Sequence, residues 1–210
     1  MANKKSNIDH SKAVLQAGYI AIATNLLLAL FKIIVGALSN SLAITSDAIH
    51  GLVDTLSGII VVASEKLGAS KKFINNHEKI EHIGAILIAI IIIAVGIHII
   101  IESIEGIISP SEEISYSIPT ILVLICSIIA KFILGKYLKD TGTKVKSDTL
   151  IASSIETVND SAISGAVLIS AIAHLLWQIN IEPYISIFIA VIIIKLGLQL
   201  IFPKISTHHH

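Results

Sequence analysis

Six long apolar runs constrain the fold of this chain more than any other feature. Each has about 20 or more mostly apolar residues, the length that an α-helix needs to cross about 30 Å of hydrocarbon. The runs lie roughly at Val14–Leu38, Leu42–Glu65, His82–Ile108, Ile114–Leu138, Thr149–Leu176 and Pro183–Ile205. Because they are continuous rather than alternating in polarity, they predict an all-α membrane protein, a bundle of six transmembrane helices.

The charge content agrees with a membrane protein and excludes other classes. Charged residues make up only 14% of the chain, whereas soluble domains average about 25%. Fifteen lysines balance fifteen acidic residues, so the formal net charge is zero and no basic field attracts a nucleic acid. The sequence also has no nucleophilic triad, phosphate-binding loop or cysteine-based zinc motif, so we expect no enzyme.

The lysines predict how the bundle is oriented. They concentrate before the first run, in residues 66–81, in residues 139–148 and at the end of the sixth run. These segments all fall on one side of a six-span bundle, and the three short loops on the other side have no lysine. Because an excess of lysine marks cytoplasmic loops, we expect both termini in the cytoplasm. A separate expectation is that the membrane is a bacterial or archaeal plasma membrane.

The chain is expected to form one six-span domain over residues 1–205. Residues 206–210 end in three histidines, which is typical of a purification tag or a short tail.

Two of the predicted spans carry ionisable residues, which are costly in hydrocarbon and therefore indicate function. His50 and Asp54 lie four residues apart in the second span, and Glu156 and Asp160 lie four apart in the fifth. Residues with this spacing share one face of a helix, one turn apart.

The depths of these four residues match. With a rise of 1.5 Å per residue, His50 lies about 12 Å and Asp54 about 18 Å below the outer surface. Glu156 lies about 10 Å and Asp160 about 16 Å above the inner surface. All four therefore lie near the middle of a core about 30 Å thick. Two facing helices would combine one imidazole and three carboxylates into a site for a divalent cation.

This set of ligands predicts an exchange of metal for protons. Three carboxylates over-neutralise a dication, so an empty site would take up protons to relieve their repulsion. Metal binding must then expel protons, because these ligands bind metal only when deprotonated. The alternative is that the four residues only form hydrogen bonds that hold the helices together.

Other polar residues in the spans have two interpretations each. Asp47 either lines the exit path of a cation or braces the start of its helix. His98 and Glu102, also four apart, either form a second site or face water. Lys32 and Lys131 are expected to extend to the membrane boundary, as long amphipathic side chains do.

Three segments resemble the cation diffusion facilitator family. SNSLAITSDAIH, residues 39–50, looks like the family's second-span signature, which Asp54 follows as a site residue. SDTLIAS, residues 147–153, is similar to its entry to the fifth span, and HEKIE, residues 77–81, to the end of a histidine-containing loop. The resemblance covers essentially the whole chain. It implies a homodimer in the lipid bilayer that exports a divalent transition metal in exchange for protons. Zn²⁺ is the metal we expect, and no cofactor is expected beyond the transported metal.

The chain departs from the family pattern at three places. Glu156 stands where histidine or aspartate is usual, so this mixed set lies between the zinc and manganese patterns. Phe73 replaces the first histidine of the loop motif, although His77 remains. The chain ends soon after the sixth span, where the family usually continues into a cytosolic metal-binding domain, so we expect a truncated chain or a naturally short member.

Three alternatives to a zinc exporter stay open at this point. The first is an exporter of Mn²⁺ or Fe²⁺ in the same family. The second is a non-transporting membrane protein, such as a partner subunit that keeps the site for stability. The third is a passive cation channel, which would conduct without proton coupling.

Overall fold

The computed structural model of the chain describes residues 2–68, 74–109 and 114–201. These residues form six α-helices and no strand, which confirms the all-α prediction. The helices are α1 (Ala2–Ser39), α2 (Leu42–Gly68), α3 (Ile74–Ile108), α4 (Ile118–Val145), α5 (Asp148–Trp177) and α6 (Glu182–Ile201).

Within the described residues, five helices are long and apolar enough to cross a membrane. These segments are His10–Ser39, Ala89–Ile108, Ile118–Val145, Asp148–Trp177 and Glu182–Gln199. The remaining helix, α2, has 27 residues and carries Asp47, His50 and Asp54.

Several helices do not begin where the apolar runs do, although α2 begins at Leu42 as predicted. α3 begins at Ile74 rather than His82, because its polar first residues can still form a helix in water, and hydropathy marks only the part within the bilayer. α4 begins at Ile118 rather than Ile114. Its first turn contains Pro119, a residue that favours helix starts because the N–H it lacks would have no helical partner there.

Short turns join the helices into antiparallel pairs. Asn40, Lys146 and Gln178 adopt left-handed backbone angles, with φ of 54°, 55° and 55°. At the ends of α4 and α5 this conformation lets the backbone N–H return to a helix carbonyl, to Gly142 and His174 respectively. The α1–α2 and α4–α5 hairpins follow from these turns.

The packing brings the polar face of α2 to the middle of the bundle. α1 packs mainly on α2, α4 on α5, and α3 on α6, while α2 also contacts α5 and α6. Large apolar side chains such as Leu27, Ile34 and Ile133 stay exposed, as expected for surfaces that face lipid. Ionisable residues on α2 and α5 consequently face each other.

A buried carboxylate joins three segments at the end of the bundle where α2 and α6 begin. Glu182 Oε1 accepts a hydrogen bond of 3.0 Å from the Ala43 N–H, at the start of α2. The Tyr116 hydroxyl donates to Glu182 Oε2. Burial raises the pKa of Tyr116, so this hydroxyl keeps its proton and remains a donor. The negative charge also suits the positive end of the α2 dipole.

The close approach of α4 and α5 generates a prediction. A Cβ at Gly142 would lie 2.9 Å from Leu150 Cβ and 3.1 Å from the backbone nitrogen of Ile151. Because neither atom can rotate away, we expect Gly142→Ala to cost about 1–3 kcal/mol of stability. Gly165→Ala is the control, since a Cβ there meets nothing within 4 Å. It should be neutral or stabilise the helix by up to about 1 kcal/mol. Equal unfolding midpoints for the two variants in detergent would contradict this packing.

Candidate metal centre

The structure brings three of the four predicted ligands together between α2 and α5. His50 Nε2 lies 3.0 Å from Asp160 Oδ1 and 3.9 Å from Asp54 Oδ1. One ligand atom from each residue lies within 4.8 Å of the others. All three residues are buried, with 3%, 8% and 3% of their surface exposed for His50, Asp54 and Asp160. This grouping offers one nitrogen and two carboxylates to a cation.

The hydroxyl groups beside the cluster have partners on their own helices. Thr55 Oγ1 donates to the Gly51 carbonyl at 2.8 Å, and Thr157 Oγ1 donates to the Ser153 carbonyl at 2.8 Å. A hydrogen bond to a carbonyl of the same helix gives each hydroxyl an acceptor, so it needs no partner on another helix. The ionisable side chains therefore dominate the chemistry of the cluster.

A lysine from α4 completes the cluster, and sequence reasoning missed it. Lys131 Nζ donates to Asp160 Oδ2 at 2.9 Å and to Asp54 Oδ2 at 3.5 Å. The residue is only 1% exposed, so the expectation that it extends to the membrane boundary is wrong. The observed helix bounds explain the error, because Lys131 lies near the middle of α4 and not near its end.

A second ion pair lies one turn away, toward the start of α2. Lys32 Nζ, from α1, lies 2.8 Å from Asp47 Oδ2 and donates to Ser164 Oγ at 2.9 Å. Ser164 Oγ donates in turn to Asp47 Oδ1 at 3.2 Å. Lys32 is 1% exposed, so it also stays inside the bundle instead of extending to the boundary. Asp47 is thus an ion-pair partner that joins α1, α2 and α5.

Glu156, the fourth predicted ligand, does not join the group of three. Its side chain is exposed, one turn before Asp160 on α5. Four residues of helix correspond to a rotation of about 40° beyond one full turn. Asp160 therefore lies where α5 contacts α2, and Glu156 lies at the rim of that face.

His98, which the sequence paired with Glu102, lies apart from this cluster. His98 Nε2 lies 3.3 Å from Glu102 Oε1, and these side chains are 68% and 46% exposed. Within the described residues no third ligand completes this pair. The side chain of His77, together with residues 202–210 and Phe73, lies outside the described residues.

Comparison with known proteins decides the family. A family model for the cation efflux transmembrane domain matches residues 18–207, nearly the whole chain. The chain belongs to the cation efflux family. This membership confirms the resemblance to cation diffusion facilitators, and it makes the chain an integral membrane protein of a transporter family rather than an enzyme.

Curated relatives of this cation efflux chain come from prokaryotes. It is 27% identical to the manganese efflux system protein MneP of Bacillus subtilis, over 99% of this chain and 71% of the relative. It is 25% identical to the magnetosome protein MamB of Magnetospira sp., over 81% of this chain and 59% of the relative. It is 23% identical to the cadmium, cobalt and zinc/H(+)-K(+) antiporter of B. subtilis, over 89% of this chain and 60% of the relative. The chain thus spans 59–71% of the length of these three relatives.

The Lys32–Asp47 pair yields a prediction for stability. Asp47→Asn leaves a buried ammonium without its counter-ion, so it should cost about 3–5 kcal/mol. The double variant with Lys32→Met and Asp47→Asn removes both charges and should cost less than the sum of those two single changes. Unfolding of single and double variants in micelles measures this coupling, and strictly additive costs would contradict a direct ion pair.

Proposed function

We propose that this cation efflux protein exports a divalent transition metal in exchange for protons. His50, Asp54 and Asp160 are the proposed ligands at mid-bundle, with Glu156 as the fourth. The observation that carries the proposal is the grouping of one imidazole and two carboxylates, all buried, where α2 meets α5. A site near the middle of the bundle is within reach of both membrane surfaces when helices shift around it.

The ligand chemistry favours Zn²⁺ and keeps Mn²⁺ as the second candidate. Imidazole nitrogen with carboxylate oxygen is a common zinc set. Additional carboxylate oxygens favour harder ions such as Mn²⁺. Proteins named for manganese efflux and for cadmium, cobalt and zinc antiport both occur among the relatives, so the family background supports either cargo.

Proton exchange follows from competition for the same ligands. His50, Asp54 and Asp160 bind metal only in their deprotonated forms. A metal that enters from the cytosol displaces protons, and protons from the opposite side displace the metal. Export direction rests on the lysine distribution that predicts cytoplasmic termini. A homodimer, implied by the family resemblance, remains part of the proposal.

Removing either aspartate should abolish transport. Asp54→Asn and Asp160→Asn keep the side-chain shape and remove the charge that binds the cation. Proteoliposomes offered Zn²⁺, Mn²⁺, Fe²⁺, Co²⁺ and Cd²⁺ in parallel should show dication uptake coupled to proton flux for the unsubstituted chain and none for these variants.

Glu102→Gln provides the matched control, since it removes an exposed carboxylate outside the cluster. It should transport normally. Normal transport by Asp54→Asn would contradict the ligand assignment. Metal binding without flux by the unsubstituted chain would indicate a non-transporting partner subunit, and conductance without proton movement would indicate a channel.

Selectivity tests the proposed role of Glu156. Replacing an oxygen ligand by imidazole should raise the preference for zinc over manganese, so Glu156→His should increase the ratio of zinc to manganese affinity. Titrations of both metals across pH 5.5–8 measure that ratio. An unchanged ratio would show that Glu156 does not bind the metal, in line with its exposed position.

A further inference from the structure

The Lys131 ammonium occupies the position that a bound cation would take between the two aspartates. Its Nζ atom contacts Oδ2 of Asp160 at 2.9 Å and Oδ2 of Asp54 at 3.5 Å. His50 faces the other oxygen, Oδ1, of both carboxylates. Asp160 is therefore shared between the imidazole on one oxygen and the ammonium on the other, whereas Asp54 Oδ1 lies near the imidazole without a hydrogen bond to it.

A dication at these carboxylates conflicts with the ammonium. Metal–oxygen bonds of about 2.0–2.2 Å would hold the ion within a few ångströms of Nζ. Two positive charges at that distance repel strongly where little water screens them, and Lys131 is 1% exposed. The ammonium and the metal cannot both keep full contact with Asp54 and Asp160.

We propose that Lys131 is a tethered cation that competes with the transported dication for Asp54 and Asp160. This inference rests on the proposed function of the same site. Lys131 offsets part of the negative charge of the two aspartates, moves away on its flexible four-carbon stem when the metal enters, and returns to help expel the metal. It thus keeps the affinity for the cargo low enough for release.

The other buried lysine does not have this relation to the site. Lys32 pairs with Asp47 and Ser164, and neither belongs to the group of three ligands. Its ion pair can remain intact while a metal binds. Competition is therefore assigned to Lys131 alone among the buried lysines that the structure describes.

Substitution of Lys131 should tighten metal binding. Lys131→Met removes the competing charge and keeps most of the volume, and Lys131→Gln keeps a neutral donor for the aspartates. In the full chain in nanodiscs, with His208, His209 and His210 changed to Ser throughout, we expect both variants to lower the Kd for Zn²⁺ and Mn²⁺ by about ten-fold or more.

Transport supplies a second measurement of the same variants. A tighter site releases its cargo more slowly, so Lys131→Met should lower both KM and the maximal rate of uptake into proteoliposomes. Lys136→Met is the control, because Lys136 is an exposed lysine on the same helix. It should leave the Kd within about two-fold, since an exposed charge is screened.

A lysine that only organises the carboxylates predicts the opposite result. Its removal would weaken binding and raise KM, so an unchanged or higher Kd in the folded variants overturns the proposal. If Asp54→Asn still abolishes binding in that case, the proposed function stands without the competition. If the unsubstituted chain binds neither metal, the proposed function fails as well.

One measurement needs no substitution at Lys131. With ¹³C-labelled lysine side chains, saturation of the unsubstituted chain with Zn²⁺ should shift the signal of at least one buried lysine. A spectrum in which no lysine signal moves overturns the proposal even if neither Lys131 variant folds.

Discussion

The contact of one lysine with two aspartates is the interaction on which the centre of this bundle depends. Asp54 on α2 and Asp160 on α5 are buried where hydrocarbon surrounds the protein, and two unpaired carboxylates there would repel each other. Lys131 contacts both at 3.5 and 2.9 Å and so ties α4 to α2 and α5. The same negative charges that require this lysine also make the position attractive to a cation.

The two buried ion-pair networks differ in whether they leave negative charge for a cation. Both carboxylate oxygens of Asp47 are engaged by Lys32 and Ser164, and one positive charge balances one negative charge. The neighbouring cluster has two carboxylates and one ammonium, so it keeps an excess negative charge when His50 is neutral. The first network thus holds α1, α2 and α5 together, and the second retains the charge that a dication needs. Electrostatics therefore supports a structural role for Asp47 and the proposed binding role of Asp54 and Asp160.

The sequence was sufficient to predict the helical fold and three residues of the candidate site. Apolar runs mark helices in a bilayer, and the i, i+4 pairs mark the polar faces of the second and fifth helices, which is why His50, Asp54 and Asp160 could be named. Lys131 was misplaced because α4 continues to Val145, beyond the end of the apolar run at Leu138, and hydropathy does not locate that end. Glu156 and Asp160 differ by a small rotation around the axis of α5, which the sequence periodicity alone does not resolve. The tilt and orientation of α2 and α5 decide which of the two side chains contacts the partner helix.

The position of a bound metal ion is the decisive measurement for the proposed site between α2 and α5. Crystals of the chain with His208, His209 and His210 changed to Ser, grown with Zn²⁺ or Mn²⁺, allow anomalous scattering to locate the ion. We predict one strong peak between α2 and α5, about 2.0–2.2 Å from His50 nitrogen and from oxygens of Asp54 and Asp160, with the Lys131 ammonium displaced. A peak found elsewhere, with the Lys131 contacts to both aspartates intact, would contradict this prediction.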